Sequence, residues 1–311
     1  PSSSEMAGAR DAALRALIAF RRDGAWPESA LKDVLRGMDR REAALATRLC
    51  NGVLQNRMLL DHWLSGFVRG KLQPVVRDIL RLAAYQLCFL DRIPPSAAVN
   101  EAVKLTRTFK KASASGLVNA VLRRAIAYDL DTAVFANAVE RLMVLGSAGR
   151  DVAAFLHASY PDEALDILTH TADGGLTSLR ANPLKGTPEA LCEKLLASGA
   201  KSAAPGLVPG SVLARFEGSP AESGLFREGW FHVEGQASQL AALCVEAKPS
   251  DTVLDLCAAP GGKSLLLIEE MGDEGRLVSC DVSENRVQLI RKAVERMGFR
   301  NVEPRVSDGT R

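Results

Sequence analysis

Cysteine is sparse and unpaired in this sequence. The six residues, at positions 50, 88, 192, 244, 257 and 280, form no CxxC pair. That argues against a disulfide framework or a zinc knuckle and fits a reducing compartment. A cytoplasmic location is expected, with no metal site. No apolar run reaches the roughly 18 residues of a membrane span, the longest candidates being cut by Arg or Asp. No membrane partner is therefore expected. A basic-then-apolar leader is also missing from PSSSEMAGARDAALRAL, and a first residue of Pro rather than Met reads as a trimmed start. What is present is ordinary for a globular protein: 311 residues, 47% apolar and 24% charged, enough for about two or three domains.

A formal net charge of +2 conceals an asymmetry. Residues 1–128 hold 21 Lys and Arg against 11 Asp and Glu, whereas the remainder holds 18 against 26. Charge separated by domain often marks one polyanion-binding module. A solvated basic helical surface would give the same count.

Residues 1–128 carry apolar residues at helical spacing and no β-branched alternation, which predicts an all-α bundle of six or seven helices. REAALATRLCNGVLQNRMLLDHWLSGFV reads as one long, bent helix, and Ser96 reads as the N-cap of SAAVNEAVKLTRTFKK with Glu101 in its first turns. Lys104, Arg107, Lys110 and Lys111 group at one helix end, and Arg123 and Arg124 at another. Each alone would only complement a helix C-terminus; as a group they point toward RNA. Residues 129–229 read as a helical stretch broken at Gly174-Gly175, then a small α+β unit. LTSLRANPL and SVLARFE are its strands, and a helix between them is capped by Thr187 with Pro188 in its first turn. From residue 230 to 311 the order strand–helix–strand–helix–strand opens a doubly wound parallel sheet, after a helix in EGQASQLAALCVEA.

The stretch DLCAAPGGKS, Asp255 to Ser264, follows the first of those strands. A P-loop would need glycine at position 257, where the chain has Cys257. A dinucleotide fingerprint needs G-x-G-x-x-G, and only Gly261-Gly262 is there. A nucleoside cofactor without a pyrophosphate remains. Ala258, Ala259, Gly261 and Gly262 allow close backbone approach, and a side chain at Gly261 would fill the path of the ligand. Asp281, 20 residues after Gly261, would accept from ribose hydroxyls, and Asp308 in VSDGT would lie near the base. Asp255, Asp281 and Asp308 each close a strand at one sheet edge, the pattern of S-adenosylmethionine-dependent methyltransferases. Any single one of these acids would equally cap the next helix, for which Ser283 is itself a competent cap.

DLCAAPGGKS closely resembles the first motif of the RNA 5-methylcytosine methyltransferases of the Nol1/Nop2/Sun family. RIPPSAAVNEAVKLTR and GLVNAVLRR resemble the NusB-type RNA-binding domain fused to bacterial members, and FLHASYPDEAL and LRANPLK resemble their middle RNA-binding region. The resemblance covers nearly the whole chain. It implies a multidomain fold: an all-α NusB-like bundle, a small α+β RNA-binding region, and the opening half of a Rossmann-like α/β methyltransferase sheet. It also implies methylation of a cytosine at carbon five in small-subunit ribosomal RNA, with S-adenosyl-L-methionine as cofactor, by a protein expected to be a monomer. Carried over by motif, Cys257, Ala258, Ala259, Pro260, Gly261, Gly262 and Lys263 form the methionine-side loop, Asp281 holds the ribose, and Asp308 lies near the adenine. Lys263 would also reach the target-base pocket.

Two departures are local: many relatives have Gln-Asp where this chain has Glu234-Gly235, and Trp where it has Ala164. A third is larger. The family attacks carbon six of cytosine with a cysteine thiolate, because carbon five needs covalent activation to become nucleophilic. In the family that cysteine and its acidic partner follow the fourth and fifth strands. No cysteine here matches either position, so no catalytic residue is assigned. The catalytic half is expected to lie outside the 311 residues, and a chain ending at Arg311 is expected to be inactive by itself and poorly stable in its last 80 or so residues. The alternative is a non-catalytic RNA-binding protein that uses the NusB-like module.

Overall fold

Helical spacing of Ala and Leu dominates the first 170 residues, and helices are what form there. The computed structural model describes residues 8–24, 27–127, 133–169 and 175–310, which cluster into two compact units, Pro1–His170 and Thr171–Arg311. The first unit contains α1 (Ala9–Asp23), α2 (Pro27–Val34), α3 (Arg40–Gln55), α4 (Arg57–Ser65), α5 (Pro74–Phe89), α6 (Pro95–Thr108) and α7 (Ser115–Ala125). These are followed by α8 (Ala138–Leu145), α9 (Arg150–Ser159) and α10 (Ala164–Thr169). Leu14, Leu49, Leu60, Ile79, Leu80 and Leu122 are fully buried in one core, each worth roughly 1.5–3 kcal/mol on burial.

Two sequence expectations fail here. The stretch from residue 41 to 68 is two helices: α3 stops at Asn56, whose side-chain amide and backbone N–H both donate to the Gly52 carbonyl. Gly52 itself is fixed by packing, since a Cβ there would lie 2.0 Å from the Tyr85 ring. Helix α6 begins at Pro95, one residue before Ser96, with Pro94 as its cap residue and no side-chain cap bond. A proline at the first position needs no N–H partner, Ser96 is already the second helical residue, and the Ala97 and Ala98 N–H groups donate to the Pro94 carbonyl; Glu101 lies beyond the first turn.

The second unit begins with β1 (Leu176–Ala181), α11 (Pro188–Ala197), β2 (Ser202–Pro205), β3 (Ser211–Arg215), α12 (Gly224–Arg227) and β4 (Phe231–Val233). These strands form an antiparallel sheet in the order β2-β3-β1-β4. Thr187 caps α11 as expected, accepting from the Ala190 N–H at 3.3 Å. Then come α13 (Gln236–Leu243), β5 (Thr252–Asp255), α14 (Gly262–Glu270), β6 (Arg276–Asp281), α15 (Glu284–Met297) and β7 (Val302–Val306). Strands β5, β6 and β7 are parallel, with β6 between the others. Leu265, Ile268, Leu277 and Ile290 are buried in the core that joins α14 and α15 to this sheet. The Gly174-Gly175 break and the start of the middle region fall partly outside the described residues.

Candidate cofactor site

The register of the parallel sheet staggers the three acids. Asp255 pairs with Ser279, two residues before Asp281, and Asp281 pairs with Val306, two residues before Asp308. All three therefore stand at the carboxyl edge, where open parallel sheets bind ligands.

The loop after β5 is pinned at both ends. Ala258 N–H donates to the Cys280 carbonyl at 2.8 Å, and Gly261 N–H to the Ala258 carbonyl at 2.7 Å. Ser264 donates to Asp255 Oδ2 at 2.8 Å and receives the Ser279 hydroxyl at 2.9 Å. Ser264 is fully buried. Its hydroxyl points back into the sheet and is unavailable to a metal or phosphate, which separates GGKS from a P-loop. Asp255 is likewise a clamp on its own loop. Ala258 and Gly261 are buried, Ala259 and Gly262 half-buried, and Cys257, Pro260 and Lys263 exposed.

Gly261 has φ of +111° and caps α14. A Cβ there would meet Ile290 of α15 at 3.6 Å, an ordinary contact. The glycine is demanded by its backbone conformation, and a side chain would point toward α15.

Asp281 is 3% exposed. Its Oδ1 accepts from Ser283 N–H at 3.2 Å and its Oδ2 lies 3.4 Å from Arg286 Nη1. Ser283 makes no side-chain cap bond; the acid takes only the Ser283 N–H, ahead of the helix, and keeps acceptor capacity to spare. Asp308 turns on Thr310, accepting from its N–H at 3.0 Å and its hydroxyl at 2.6 Å. Those bonds hold the Asp308 carboxyl below the usual carboxylate range. A buried carboxylate at a strand end, above a loop of Ala and Gly, fits a ribose-bearing cofactor. Among the described residues no cluster fits a metal ion, and no helix is long and apolar enough to cross a membrane.

The sequence reading missed the support behind the loop. His232 and Glu234 are buried, with His232 Nε2 3.1 Å from Glu234 Oε2. Ser238 donates to Glu234 Oε1 at 2.7 Å, and Gln239 to the Glu234 carbonyl at 2.9 Å. The carboxylate lies against the start of α14: a Cβ on Gly262 would be 3.1 Å from Glu234 Oε1. Burial pushes the Glu234 carboxyl up, but the bonds from His232 and Ser238, with the Lys263 charge, bring it below its ordinary value. Burial lowers the His232 pKa, aided by Arg296 and Arg180 and opposed by Glu234. The alternation His-Val-Glu was the available signal, but strand β4 is too short for a pattern to announce itself.

Arg180 and Asn182, within LRANPLK, are buried and structural. Arg180 Nε donates to Glu269 Oε1 at 3.0 Å, and Arg180 also pairs with Glu270 at 3.2 Å, both on α14. Asn182 donates to the carbonyls of Gly229 at 2.7 Å and Met297 at 2.8 Å. No cysteine is placed as a nucleophile. Burial pushes Cys50 and Cys88 up to about 11; Cys280 is buried in β6, and Cys257 and Cys244 are exposed.

On the bundle, Lys104, Arg107, Lys110, Arg123 and Arg124 are exposed and Lys111 half-buried. Lys104 is paired with Glu101 at 2.6 Å, Arg123 donates to Asn119 at 3.1 Å, and Arg124 lies over Phe67 at 5.8 Å. Arg107, Lys110 and Lys111 have no such partner among the described residues.

Comparison with known proteins joins these observations. Residues 7–127 match the NusB family, and residues 242–311 match the family described as 16S rRNA methyltransferase RsmB/F. The chain is 30% identical over 306 residues to the probable ribosomal RNA small subunit methyltransferase B of Bacillus subtilis strain 168, covering 96% of this chain and 68% of that protein. It is 31% identical over 296 residues to the ribosomal RNA small subunit methyltransferase B of Pseudomonas putida, covering 93% of this chain and 66% of the relative. In Synechocystis the probable enzyme of the same name is 30% identical, with 62% of its length covered. The chain thus spans about two thirds of the length of these curated relatives. The crystal structure of PH0851 superposes with a TM-score of 0.72 at 24% identity, over 99% of this chain and 70% of that one; that likeness supports the fold.

Proposed function

The chain belongs to the ribosomal RNA small subunit methyltransferase B family, and from that premise we propose that it takes part in S-adenosylmethionine-dependent methylation of carbon five of a cytosine in small-subunit ribosomal RNA. The observation that carries the cofactor assignment is Asp281, a buried carboxylate with spare acceptor capacity at the end of β6. Beside it lies a loop of small residues held rigid by Asp255, Ser264 and Ser279. In this reading Asp281 accepts from the ribose hydroxyls and Asp308 sits near the adenine. The backbone from Cys257 through Ala258, Ala259, Pro260, Gly261 and Gly262 to Lys263 passes the methionine moiety. The cofactor, when bound, supplies an electrophilic methyl group on sulfonium. The chain's own part is to orient that group and to bind RNA through the cations of the bundle, the exposed Arg107 and Lys110 and the half-buried Lys111 foremost. No cysteine of the 311 is assigned as the nucleophile.

Calorimetric titration with S-adenosylmethionine tests the site. Asp281→Ala is expected to weaken binding by about tenfold or more, the loss of a charge-assisted bond of about 1.5–3 kcal/mol. Asp308→Ala should weaken it less, since that carboxylate is already engaged with Thr310. Equal affinity in wild type and Asp281→Ala would remove the acid from the site. Methyl transfer into small-subunit ribosomal RNA, with the modified nucleoside identified by mass spectrometry, tests the position.

A further inference from the structure

A cavity of about 370 Å³ lies behind the cofactor loop, walled by β4, by Pro260 and Gly262, and by α15. Of its lining residues, only Pro260 and Gly262 have been assigned to the cofactor. Its volume falls at the lower end of the roughly 300–1,000 Å³ of small-molecule sites.

We propose that this cavity is a second recognition site, a pocket for one unpaired nucleobase of the RNA, held through an N–H on the edge of the base. The proposal rests on the RNA-substrate reading above.

Three features set the chemistry of the occupant. The first is an orphaned polar atom. His232 lines the cavity and is 4% exposed, and its Nδ1 is buried with no hydrogen-bond partner. A neutral imidazole bonded to a carboxylate donates through the bonded nitrogen. With Nε2 on Glu234, Nδ1 is left as an acceptor, and it calls for an N–H donor. A buried unsatisfied acceptor is costly and needs an explanation; Nδ1 is itself closed to solvent, so a base that donates to it does so as the lining side chains shift, a change common on binding.

The second is mostly apolar walls with a fixed cation. Val233, Pro260 and Leu289 offer apolar surface. The Arg296 guanidinium is stacked 3.8 Å over the Phe226 ring, and its Nη1 donates to the carbonyls of Phe226 at 2.8 Å and Phe231 at 2.9 Å. It is thereby ordered before any ligand arrives. Guanidinium planes and apolar slots are what splayed-out bases stack on. The third is Lys292, an exposed lining residue with no ion-pair partner among the described residues, where a phosphate attached to that base would find charge.

An N–H edge, a flat ring and a phosphate together describe a nucleotide. Pro260 and Gly262 belong to both the cavity wall and the cofactor loop, so an occupant would touch the element that positions the methyl donor.

The test is ultraviolet crosslinking of the full chain to small-subunit ribosomal RNA fragments, with adducts located by mass spectrometry of the digested protein. Nucleotide adducts are expected on peptides spanning residues 226–233 or 289–296 and, separately, on the bundle. Leu289 is 50% exposed, so Leu289→Trp fills the pocket mouth without entering the core. It should cut the cavity adducts by about tenfold, within the cost of losing one stacked base, and leave the bundle adducts unchanged. Lys292→Glu should reduce the same adducts, and a thermal melt confirms that both variants fold. Bundle adducts with none at the cavity, or cavity adducts indifferent to both substitutions, would overturn the pocket while leaving RNA binding standing. No adducts anywhere would overturn the RNA reading itself, and the pocket with it.

Discussion

The helical unit and the sheet-bearing unit are stabilised in different ways. Among the described residues, three of the buried polar side chains, Asp78, Gln86 and Thr106, belong to the bundle; nine belong to the second unit. The bundle is held by apolar stripes, and among the described residues Asp78 is its one buried charge. The second unit uses Arg180, Asn182, His232, Glu234, Ser264, Ser279 and Asp281 to fix loops and helix ends against two small sheets. Apolar packing tolerates small shifts, whereas a hydrogen-bonded buried group holds only one geometry. The concentration of buried polar groups therefore marks the part of the molecule in which atomic positions matter to chemistry.

Removing one buried charge from each unit is the most forceful way to break that contrast. Arg180→Met leaves Glu269 unpaired in a site where burial already raises its pKa. It should cost the second unit about 3–5 kcal/mol while the bundle is unchanged. Asp78→Ala should cost the bundle less, about 1–3 kcal/mol. Arg81 keeps Asp61 at 2.6 Å, and Arg21 is 35% exposed and can turn to water. Urea unfolding followed by hydrogen exchange separates the two units; equal losses would mean that the bundle depends on buried polar groups as much as the sheets do.

A smaller effect comes through pH. The folded-state pKa of His232 lies below its ordinary 6.5, so the unfolded chain takes up the proton first. The stability it secures is present above pH 6.5 and is lost as pH falls below that value, by at most about 1.4 kcal/mol per pH unit. Glu234, also lowered, adds its loss only below its ordinary 4.5. Denaturation of the second unit at pH 7 and pH 5 should show the decline, and His232→Gln should remove most of it. A wild-type unit equally stable at both values would contradict the burial of a neutral imidazole.

The smallest effect belongs to the bundle surface. Neutralising Arg107, Lys110 and Lys111 together should lower the salt slope of RNA binding by about 2, at roughly 0.7 per single-strand phosphate. Adding Lys104 should change it little, since that side chain already pairs with Glu101. A salt slope unaltered by the triple change would return these residues to plain solvated surface.

Much of this was written plainly enough in the sequence to be read one element at a time. The Thr187-Pro188 start of α11, the parallel order of β5, β6 and β7, and the three acids at one edge follow from local chemistry and from period. Other features did not. The break between α3 and α4 at Asn56 lies inside a continuous amphipathic pattern, and Gly52 there is dictated by the Tyr85 ring. Strand β2 is Ser-Ala-Ala-Pro and β4 is three residues long, too short or too small to show alternation.

By itself the sequence determined the helical first half, the opening of a doubly wound sheet, the loop of small residues and the candidates Asp281 and Asp308, because each depends on neighbours within a few positions. Tertiary structure decided which candidates are free to act. Ser264 and Asp255 are spent on each other, Asp281 retains acceptor capacity, and Gly261 is required by its φ. His232 and Glu234 are only two residues apart, but they acquire their roles when folding takes them out of water together with Arg180 from a strand distant in sequence. Their protonation and their partners are properties of that shared burial, which no local pattern encodes.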